Sequence, residues 1–236
     1  MSGLRARLAA ALRDRLGVPG IGGSLRRLKR RGLQAACVFD VGAHDGDFTA
    51  LALATWPDAC VHCFEPLPDK RQPLLARFAH RAVAVHGDLL GATSGEAVTL
   101  SCVGTASSVL REHAGPVGEP LALSTRALDD LVAAGALPSS CDLLKIDVQG
   151  YELAVLRGAQ RLLERTRVLL LEVNLLDIHV GLPLLHEVTA WLAERGFVAD
   201  DLAGITRRPL DDALWQVDLV FARPDAAWRA DKRWGG

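Results

Sequence analysis

Short apolar runs alternate with amphipathic segments from residue 37 almost to the end of the sequence. Short apolar runs predict buried strands, whereas apolar residues that recur every three or four positions predict helices. The predicted strands span 37–41, 60–64, 82–86, 142–147 and 167–173, with two more near 197–201 and 216–222. The predicted helices span 47–55, 69–78, 126–134, 152–164 and 183–195, and residues 97–125 are richer in strand-forming residues. Alternating strands and helices predict an α/β fold whose mostly parallel sheet is covered on both faces.

The last two predicted strands are joined by a segment without helical periodicity. Parallel neighbours need a long crossover, usually a helix, whereas antiparallel neighbours need only a turn. We therefore expect an antiparallel hairpin at one edge of a seven-stranded sheet.

Residues 1–36 form a basic segment ahead of this pattern. They hold nine basic side chains and one acid, a net charge of +8, whereas the whole chain carries −1 and the remainder therefore −9. Leu4, Leu8, Leu12 and Leu16 recur every four residues, which predicts an amphipathic helix that ends near residues 17–20. The sequence thus predicts a helical extension over residues 1–36 and one domain over residues 37–236. The leucine stripe could pack on that domain or make a peripheral contact with an anionic membrane.

Composition restricts the function class. Half of the 236 residues are apolar, which is enough to bury one large core. The five cysteines are odd in number and lie in apolar runs, which favours a reducing compartment and a cytoplasmic location. No apolar run reaches the length of a membrane span or a signal peptide. Because the body of the chain is acidic, we expect no nucleic-acid partner.

The stretch 38–49 is an apolar strand that runs into a glycine turn and opens a helix, and Glu65 ends the next predicted strand. This arrangement is typical of nucleotide-binding α/β proteins, in which an acid on the second strand holds the ribose. Asp40, Asp45 and Asp47 surround the turn and would repel a pyrophosphate, but they would attract a sulfonium cation. The pair Gly42 and Gly46 also lacks the third glycine of the dinucleotide motif. S-Adenosylmethionine (SAM) therefore fits better than NAD, and an NAD-linked oxidoreductase is the alternative.

Acidic residues stand at or near the ends of five predicted strands. In open α/β sheets the ligand lies beyond the carboxyl ends of the strands, so these side chains are candidates for a binding site. An acid in such a position can also simply cap the following helix. The five residues are Asp40, Glu65, Asp88, Asp147 and Glu172.

Five motifs resemble, in order and spacing, those of the FkbM family of SAM-dependent methyltransferases. They are Val-Phe-Asp-Val-Gly-Ala-His-Asp-Gly (38–46), Cys-Phe-Glu-Pro (63–66), Thr-Ala-Ser-Ser (105–108), Leu-Lys-Ile-Asp-Val-Gln-Gly-Tyr-Glu (144–152) and Leu-Leu-Leu-Glu-Val (169–173). The resemblance implies a Rossmann-like class I methyltransferase fold. It also implies transfer of a methyl group from SAM to a hydroxyl of a sugar or polyketide-type acceptor, with S-adenosylhomocysteine as the product.

The resemblance also implies residue roles. It places Asp40, Gly42 and His44 at the methionine end of SAM, Glu65 on the ribose, and Ser107 and Ser108 near the cofactor. The family usually has Glu where this chain has Gln149, and Asn is commoner at the position of His44. A glutamine can neither take a proton nor hold a divalent ion strongly, which speaks against a catalytic duty for Gln149.

Methyl transfer to an alcohol needs an acceptor for the hydroxyl proton. Asp147 and Glu172 lie on neighbouring predicted strands. They could act as a base or orienting group, they could hold Mg²⁺, or they could be structural. A base or orienting role is favoured over Mg²⁺ binding. Asp147 is also a candidate cofactor ligand. His179, in the loop after the fifth predicted strand, is either a second base candidate or a surface histidine. A third alternative is a non-catalytic protein that keeps the methyltransferase fold and docks through its basic segment.

Overall fold

The computed structural model describes residues 16–102, 107–113, 115 and 118–235. Its strands are β1 (Cys37–Val41), β2 (Cys60–Phe64), β3 (Val83–His86), β4 (Leu89–Leu90), β5 (Ala97–Cys102), β6 (Glu119–Arg126), β7 (Cys141–Ile146), β8 (Thr166–Asn174), β9 (Val198–Arg207) and β10 (Leu214–Ala222). The helices are α1 (Ile21–Arg30), α2 (Asp47–Thr55), α3 (Pro68–Arg77), α4 (Leu128–Ala133), α5 (Glu152–Arg157), α6 (Gln160–Leu163) and α7 (Leu185–Ala193). A 3₁₀ turn, Ala227–Arg229, follows the last strand.

The central sheet has seven strands in the order β3-β2-β1-β7-β8-β10-β9. The first five of these pair in parallel, whereas β10 is antiparallel to both β8 and β9. The expected antiparallel hairpin at the edge of the sheet is therefore confirmed. The strand order reverses between β1 and β7, and a ligand cleft is expected beyond the carboxyl ends of these two strands.

The sheet is covered on both faces, as the continuous apolar strands predict. Adjacent residues of one strand point to opposite faces, so Val38 belongs to one apolar cluster and Phe39 to the other. The neighbouring strand repeats this division with Leu143 and Leu144. The cluster around Val38 includes Leu25 from α1.

Residues 1–36 were predicted to be a helical extension whose helix ends near residues 17–20, whereas α1 begins after that point, at Ile21, and packs on the domain. Leu28 on its inner face is only 1% exposed. Arg27 forms an ion pair of 2.7 Å with Asp201 of β9, and Arg31 forms one of 2.7 Å with Asp200. These contacts cross the predicted boundary between residues 36 and 37. Most of the predicted leucine stripe, Leu4 to Leu12, lies outside the described residues.

The predicted helix over residues 152–164 is in fact two short helices, α5 and α6, separated at Gly158. A Cβ atom at Gly158 would lie 2.1 Å from the carbonyl oxygen of Gly91. Glycine is therefore required at this close approach of two backbones, and the helix is interrupted there. The strand-rich stretch of residues 97–125 corresponds to a small second sheet in the order β4-β6-β5, in which β5 and β6 are antiparallel.

Within the described ranges, no helix combines the length and the apolar character needed to cross a bilayer.

Candidate active site

A cavity of about 310 Å³ opens at the carboxyl ends of β1, β2, β3 and β7. This is the position that the reversal of strand order predicts for a ligand. Most of the wall is apolar, with side chains that include Ile21, Phe48, Phe64, Leu89, Leu100 and Tyr151. Six of the predicted site residues lie in the wall: Gly42, His44, Glu65, Asp88, Ser107 and Asp147.

Gly42 lies where the turn after β1 meets the end of β7. Its φ of 75° is in the left-handed region, and a Cβ atom would lie 2.0 Å from the carbonyl oxygen of Asp147. The amide of Gly42 donates to the carbonyl of Phe64 at 3.1 Å. Glycine at this position therefore lets the turn cross the floor of the cavity at close range.

Gly46, the second glycine of the turn, lies outside the cavity wall. It precedes α2 with a φ of 79°, and a Cβ atom would lie 2.6 Å from the ring of Phe78. Its contribution is to the packing of α2 on the protein rather than to contact with a ligand.

Lys145 is a buried cation directly beneath the glycine turn. Its ammonium group donates to the carbonyl oxygens of Gly42 at 2.7 Å and Val41 at 3.2 Å. It also lies 3.1 Å from a carboxylate oxygen of Asp40 and 3.6 Å from one of Asp147. Burial alone would lower the pKa of Lys145, but the charges of these two acids raise it above its usual value. Lys145 thus fixes the turn and balances two carboxylates.

Asp40 does not reach the cavity, although it was predicted at the methionine end of the cofactor. It is fully buried within β1, where one oxygen accepts a hydrogen bond of 2.7 Å from the hydroxyl of Thr49 and the other faces Lys145. Its role in the structure is to anchor α2 and Lys145 under the turn.

Glu65, in contrast, lies in the wall at the end of β2. One carboxylate oxygen accepts the amide N–H of His44 at 2.9 Å, and the other accepts that of Leu67 at 2.9 Å. Burial raises the pKa of Glu65, and these hydrogen bonds oppose the rise. Because a carboxylate has about four lone-pair sites, each oxygen can accept a further hydrogen bond from a diol.

His44 also presents a polar atom in need of a partner. Its φ is 46°, and its Nδ1 lies 3.0 Å from a carboxylate oxygen of Asp45. Its Nε2 is buried without a hydrogen-bond partner in the described part of the chain. A buried polar atom in a ligand cavity is most simply explained by a polar ligand.

Asp147, Gln149 and Glu172 form one hydrogen-bonded group at the ends of β7 and β8. The amide nitrogen of Gln149 donates to Asp147 at 3.1 Å and to Glu172 at 2.8 Å. The amide of Gln216 donates to the same oxygen of Glu172 at 2.7 Å. Burial, with the charges of Asp147 and Glu152, raises the pKa of Glu172 to about 10. Asp147 and Gln149 line the cavity, whereas Glu172 lies behind them.

The two predicted serines have different surroundings. Ser107 lies in the wall. The hydroxyl of Ser108 donates to the backbone carbonyl of Gln149 at 2.8 Å and accepts the amide N–H of Leu110 at 3.0 Å. Ser108 therefore ties its loop to the end of β7 instead of facing the cavity.

His179 is 4% exposed, so it is not a surface histidine. Its backbone pairs with that of Glu112, and the side chain is not part of the described cavity wall. Burial lowers its pKa, which favours a neutral imidazole at neutral pH.

Sequence reasoning missed Lys145 and the bridging role of Gln149. A lysine inside the apolar run 143–146 was a usable signal, since a lysine in a buried strand needs a partner. The signal for Gln149 was visible only as a departure from the family pattern, because its two hydrogen-bond partners come from separate strands. In the parts of the chain that are described, no group of three or more metal-ligating side chains is found.

A comparison with solved structures finds similar chains, of which the first below shows the same fold. A candidate rRNA methylase from Clostridium thermocellum has a TM-score of 0.51 at 9% identity, with 86% of this chain and 95% of that chain covered. The SAM-bound magnesium protoporphyrin IX methyltransferase of Synechocystis PCC 6803 has a TM-score of 0.49 at 14% identity, with 86% and 76% covered. The precorrin-6y C5,15-methyltransferase of Geobacter metallireducens GS-15 has a TM-score of 0.49 at 14% identity, with 88% and 87% covered. A comparison with curated proteins gives no match.

The topology and the cavity at the ends of β1, β2 and β7 define a Rossmann-like fold of the class I methyltransferase type. The family model of the methyltransferase FkbM domain matches residues 40–199. The chain therefore belongs to the FkbM methyltransferase family, and the resemblance seen in its motifs is confirmed.

The described residues fit SAM. Gly42 lies in the cavity wall and brings the turn after β1 against the end of β7, Glu65 offers acceptors for a ribose diol, and the unpartnered nitrogen of His44 offers a polar contact. SAM, the cofactor that membership of this methyltransferase family implies, would supply a methyl group on a sulfonium centre when bound.

Proposed function

We propose that this protein is a SAM-dependent O-methyltransferase that acts on a hydroxyl of a small molecule or a glycan. The observation that supports this proposal is the carboxylate of Asp147 in the cavity wall, at the same edge of the sheet as Gly42 and Glu65. A carboxylate in this position can accept a hydrogen bond from an acceptor hydroxyl. Such a contact orients the hydroxyl oxygen and gives its proton a destination.

The surrounding residues suit Asp147 for this role. Lys145, 3.6 Å away, stabilises its negative charge from below the floor of the cavity. The amide of Gln149 holds one carboxylate oxygen. Glu172, with its pKa raised to about 10, retains its proton and adds no second negative charge at neutral pH. Asp147 is therefore the one charged carboxylate of this hydrogen-bonded group, and its contacts with Lys145 and Gln149 fix its position beside the cavity.

An NAD-linked oxidoreductase and a non-catalytic protein are the competing functions, and cofactor binding separates them. Isothermal titration calorimetry with SAM, S-adenosylhomocysteine and NAD is the test. We expect SAM to bind and NAD not to bind. Tight NAD binding, or the absence of SAM binding, would contradict the proposal.

The Glu65→Ala variant locates the SAM site. Loss of hydrogen bonds to a charged acceptor costs about 1.5–3 kcal/mol, so SAM affinity should fall by about tenfold or more. Glu194→Ala, at a glutamate whose side chain is 75% exposed, is the matched control and should bind SAM like the unaltered protein. Equal SAM affinity in a folded Glu65→Ala protein would remove Glu65 from the site.

We further propose a cytoplasmic location and no nucleic-acid partner. Composition supports both proposals. The odd cysteine count favours a reducing compartment, and the charge of −9 beyond residue 36 disfavours binding of a nucleic acid, which is a polyanion.

A further inference from the structure

Gln149 occupies the point between two carboxylates. One amide nitrogen donates to Asp147 at 3.1 Å and to Glu172 at 2.8 Å. A primary amide has two N–H donors, so each carboxylate receives one. A glutamine thus provides two neutral contacts where a third acid would add another negative charge.

The backbone of Gln149 is held in an uncommon conformation that keeps the amide in this place. Its φ is 54°, in the left-handed region, where a residue other than glycine is strained. The hydroxyl of Ser108 donates to its carbonyl at 2.8 Å. On either side, the amides of Val148 and Gly150 both donate to the carboxylate of Glu152, at 3.1 and 3.0 Å. Two residues thus fasten the turn from which the Gln149 side chain extends.

Two carboxylates held this close together require a compensating group between them. A proton, a divalent cation or a set of hydrogen-bond donors can provide it. Here Glu172 keeps a proton, and the amides of Gln149 and Gln216 supply hydrogen-bond donors, since Gln216 also donates to Glu172, at 2.7 Å. A cation bridging Asp147 and Glu172 would need the same oxygen atoms and the same space as the Gln149 amide.

We propose that Gln149 is a positioning residue that takes the place of a bridging divalent cation between Asp147 and Glu172. The amide fixes the carboxylate of Asp147 at the cavity wall, and methyl transfer then needs no metal ion at this point. The inference rests on the proposed O-methyltransferase function for its catalytic meaning, but the bridge itself can be tested without an acceptor.

The test is titration of Mn²⁺ into the full-length protein, followed by calorimetry. Gln149→Glu changes only the amide to a carboxylate and places three acids together, at positions 147, 149 and 172. Because affinity for such ions rises with the number of charged oxygen ligands, we expect Mn²⁺ to bind at least about tenfold more tightly than to the unaltered protein. Gln216→Glu is the matched control, since Gln216 contacts Glu172 but not Asp147, and we expect it to gain no comparable site.

Gln149→Gly provides a second variant that suits the left-handed backbone. It removes the amide and opens the space between the two acids, so its Mn²⁺ affinity should lie between those of the unaltered protein and Gln149→Glu. The inference fails if the unaltered protein binds Mn²⁺ as tightly as Gln149→Glu. It also fails if neither Gln149 variant binds Mn²⁺ more tightly than Gln216→Glu does.

A SAM titration on the same samples separates this inference from the proposed function. Absence of SAM binding by the unaltered protein would overturn the proposed function, while the Mn²⁺ result would still decide whether Gln149 replaces a cation.

Discussion

At the scale of single residues, burial shifts the pKa of Glu172 far above its ordinary value. Its pKa rises from an ordinary value of 4.5 to about 10, with burial as the main cause. Between these two values the folded protein keeps a proton that the unfolded chain has lost. The free energy of unfolding therefore falls as pH rises through this window, by at most about 1.4 kcal/mol per pH unit from this group.

Glu172→Gln removes this titration and keeps the size of the side chain. From pH 6 to pH 8, we expect the unaltered protein to lose more free energy of unfolding than Glu172→Gln does. Urea unfolding at both values measures it. If the two proteins lose or gain stability in parallel, the carboxyl of Glu172 is not protonated in the folded state.

Asp147 gives a second prediction at this scale. Asp147→Asn should lower turnover by about 10²-fold or more and leave SAM affinity largely unchanged, since the loss is that of a group aligned with the acceptor hydroxyl. Transfer of labelled methyl from SAM to acceptors in a cell extract is the measurement, with Asp225→Asn, at an exposed residue, as the control. EDTA should leave the activity unchanged. Full turnover by Asp147→Asn would exclude this role.

The sequence identified the wall residues better than the residues that support them. Glu65 and Asp147 were found because carboxyl ends of parallel strands meet at one edge of the sheet. Asp40 and Glu172 were placed at strand ends as well, but β1 continues to Val41 and β8 to Asn174. The side chain of Asp40 therefore lies within the protein, and that of Glu172 lies behind the cavity wall. The hydrogen-bond partners of Gln149 could not be read from the chain, because they depend on which strands are neighbours.

At the scale of elements, α1 forms part of the core. Leu28→Ala should lower the free energy of unfolding by about 2–5 kcal/mol, because it leaves a cavity against the sheet. Leu75→Ala, at a leucine of α3 that is 47% exposed, is the control and should change stability by no more than about 0.5 kcal/mol. Urea unfolding compares the two variants. Similar small losses in both would mean that α1 does not contribute to the core in solution.

The strands were predicted more accurately than the helices. Most strands of the central sheet are short apolar runs, which local sequence reveals. The exception is β9 (Val198–Arg207), which contains two aspartates and a glycine and extends beyond the predicted range of 197–201. Helix α1 was missed because arginines separate its few apolar residues and three glycines lie at its start. The helix breaks at Gly158, where the backbone approaches that of Gly91, 67 positions earlier in the chain, and local periodicity cannot reveal such a contact.

At the scale of the whole molecule, the basic segment gives a prediction about membrane contact. Residues 1–15 hold four arginines and one acid. Each basic residue near an anionic bilayer contributes about 1 kcal/mol. A peripheral contact through this segment predicts sedimentation with phosphatidylserine vesicles at low salt and release at high salt.

Deletion of residues 1–15 is the matching variant and should abolish sedimentation with the vesicles. A longer deletion to residue 36 is unsuitable, because it would remove the buried leucines of α1. Protein that stays in the supernatant at low salt, or a deletion variant that still sediments, would contradict the membrane contact.

The position of Ile21 has a consequence for delivery of the acceptor. Ile21 begins α1 and also lies in the cavity wall, five residues after Leu16. A chain of that length spans at most roughly 17 Å, so Leu16 lies within that distance of Ile21 in the cavity wall. Short tethers give effective concentrations in the millimolar range. A molecule held beside Leu16 would therefore have a high effective concentration at the cavity, even when it is scarce in the surrounding solution.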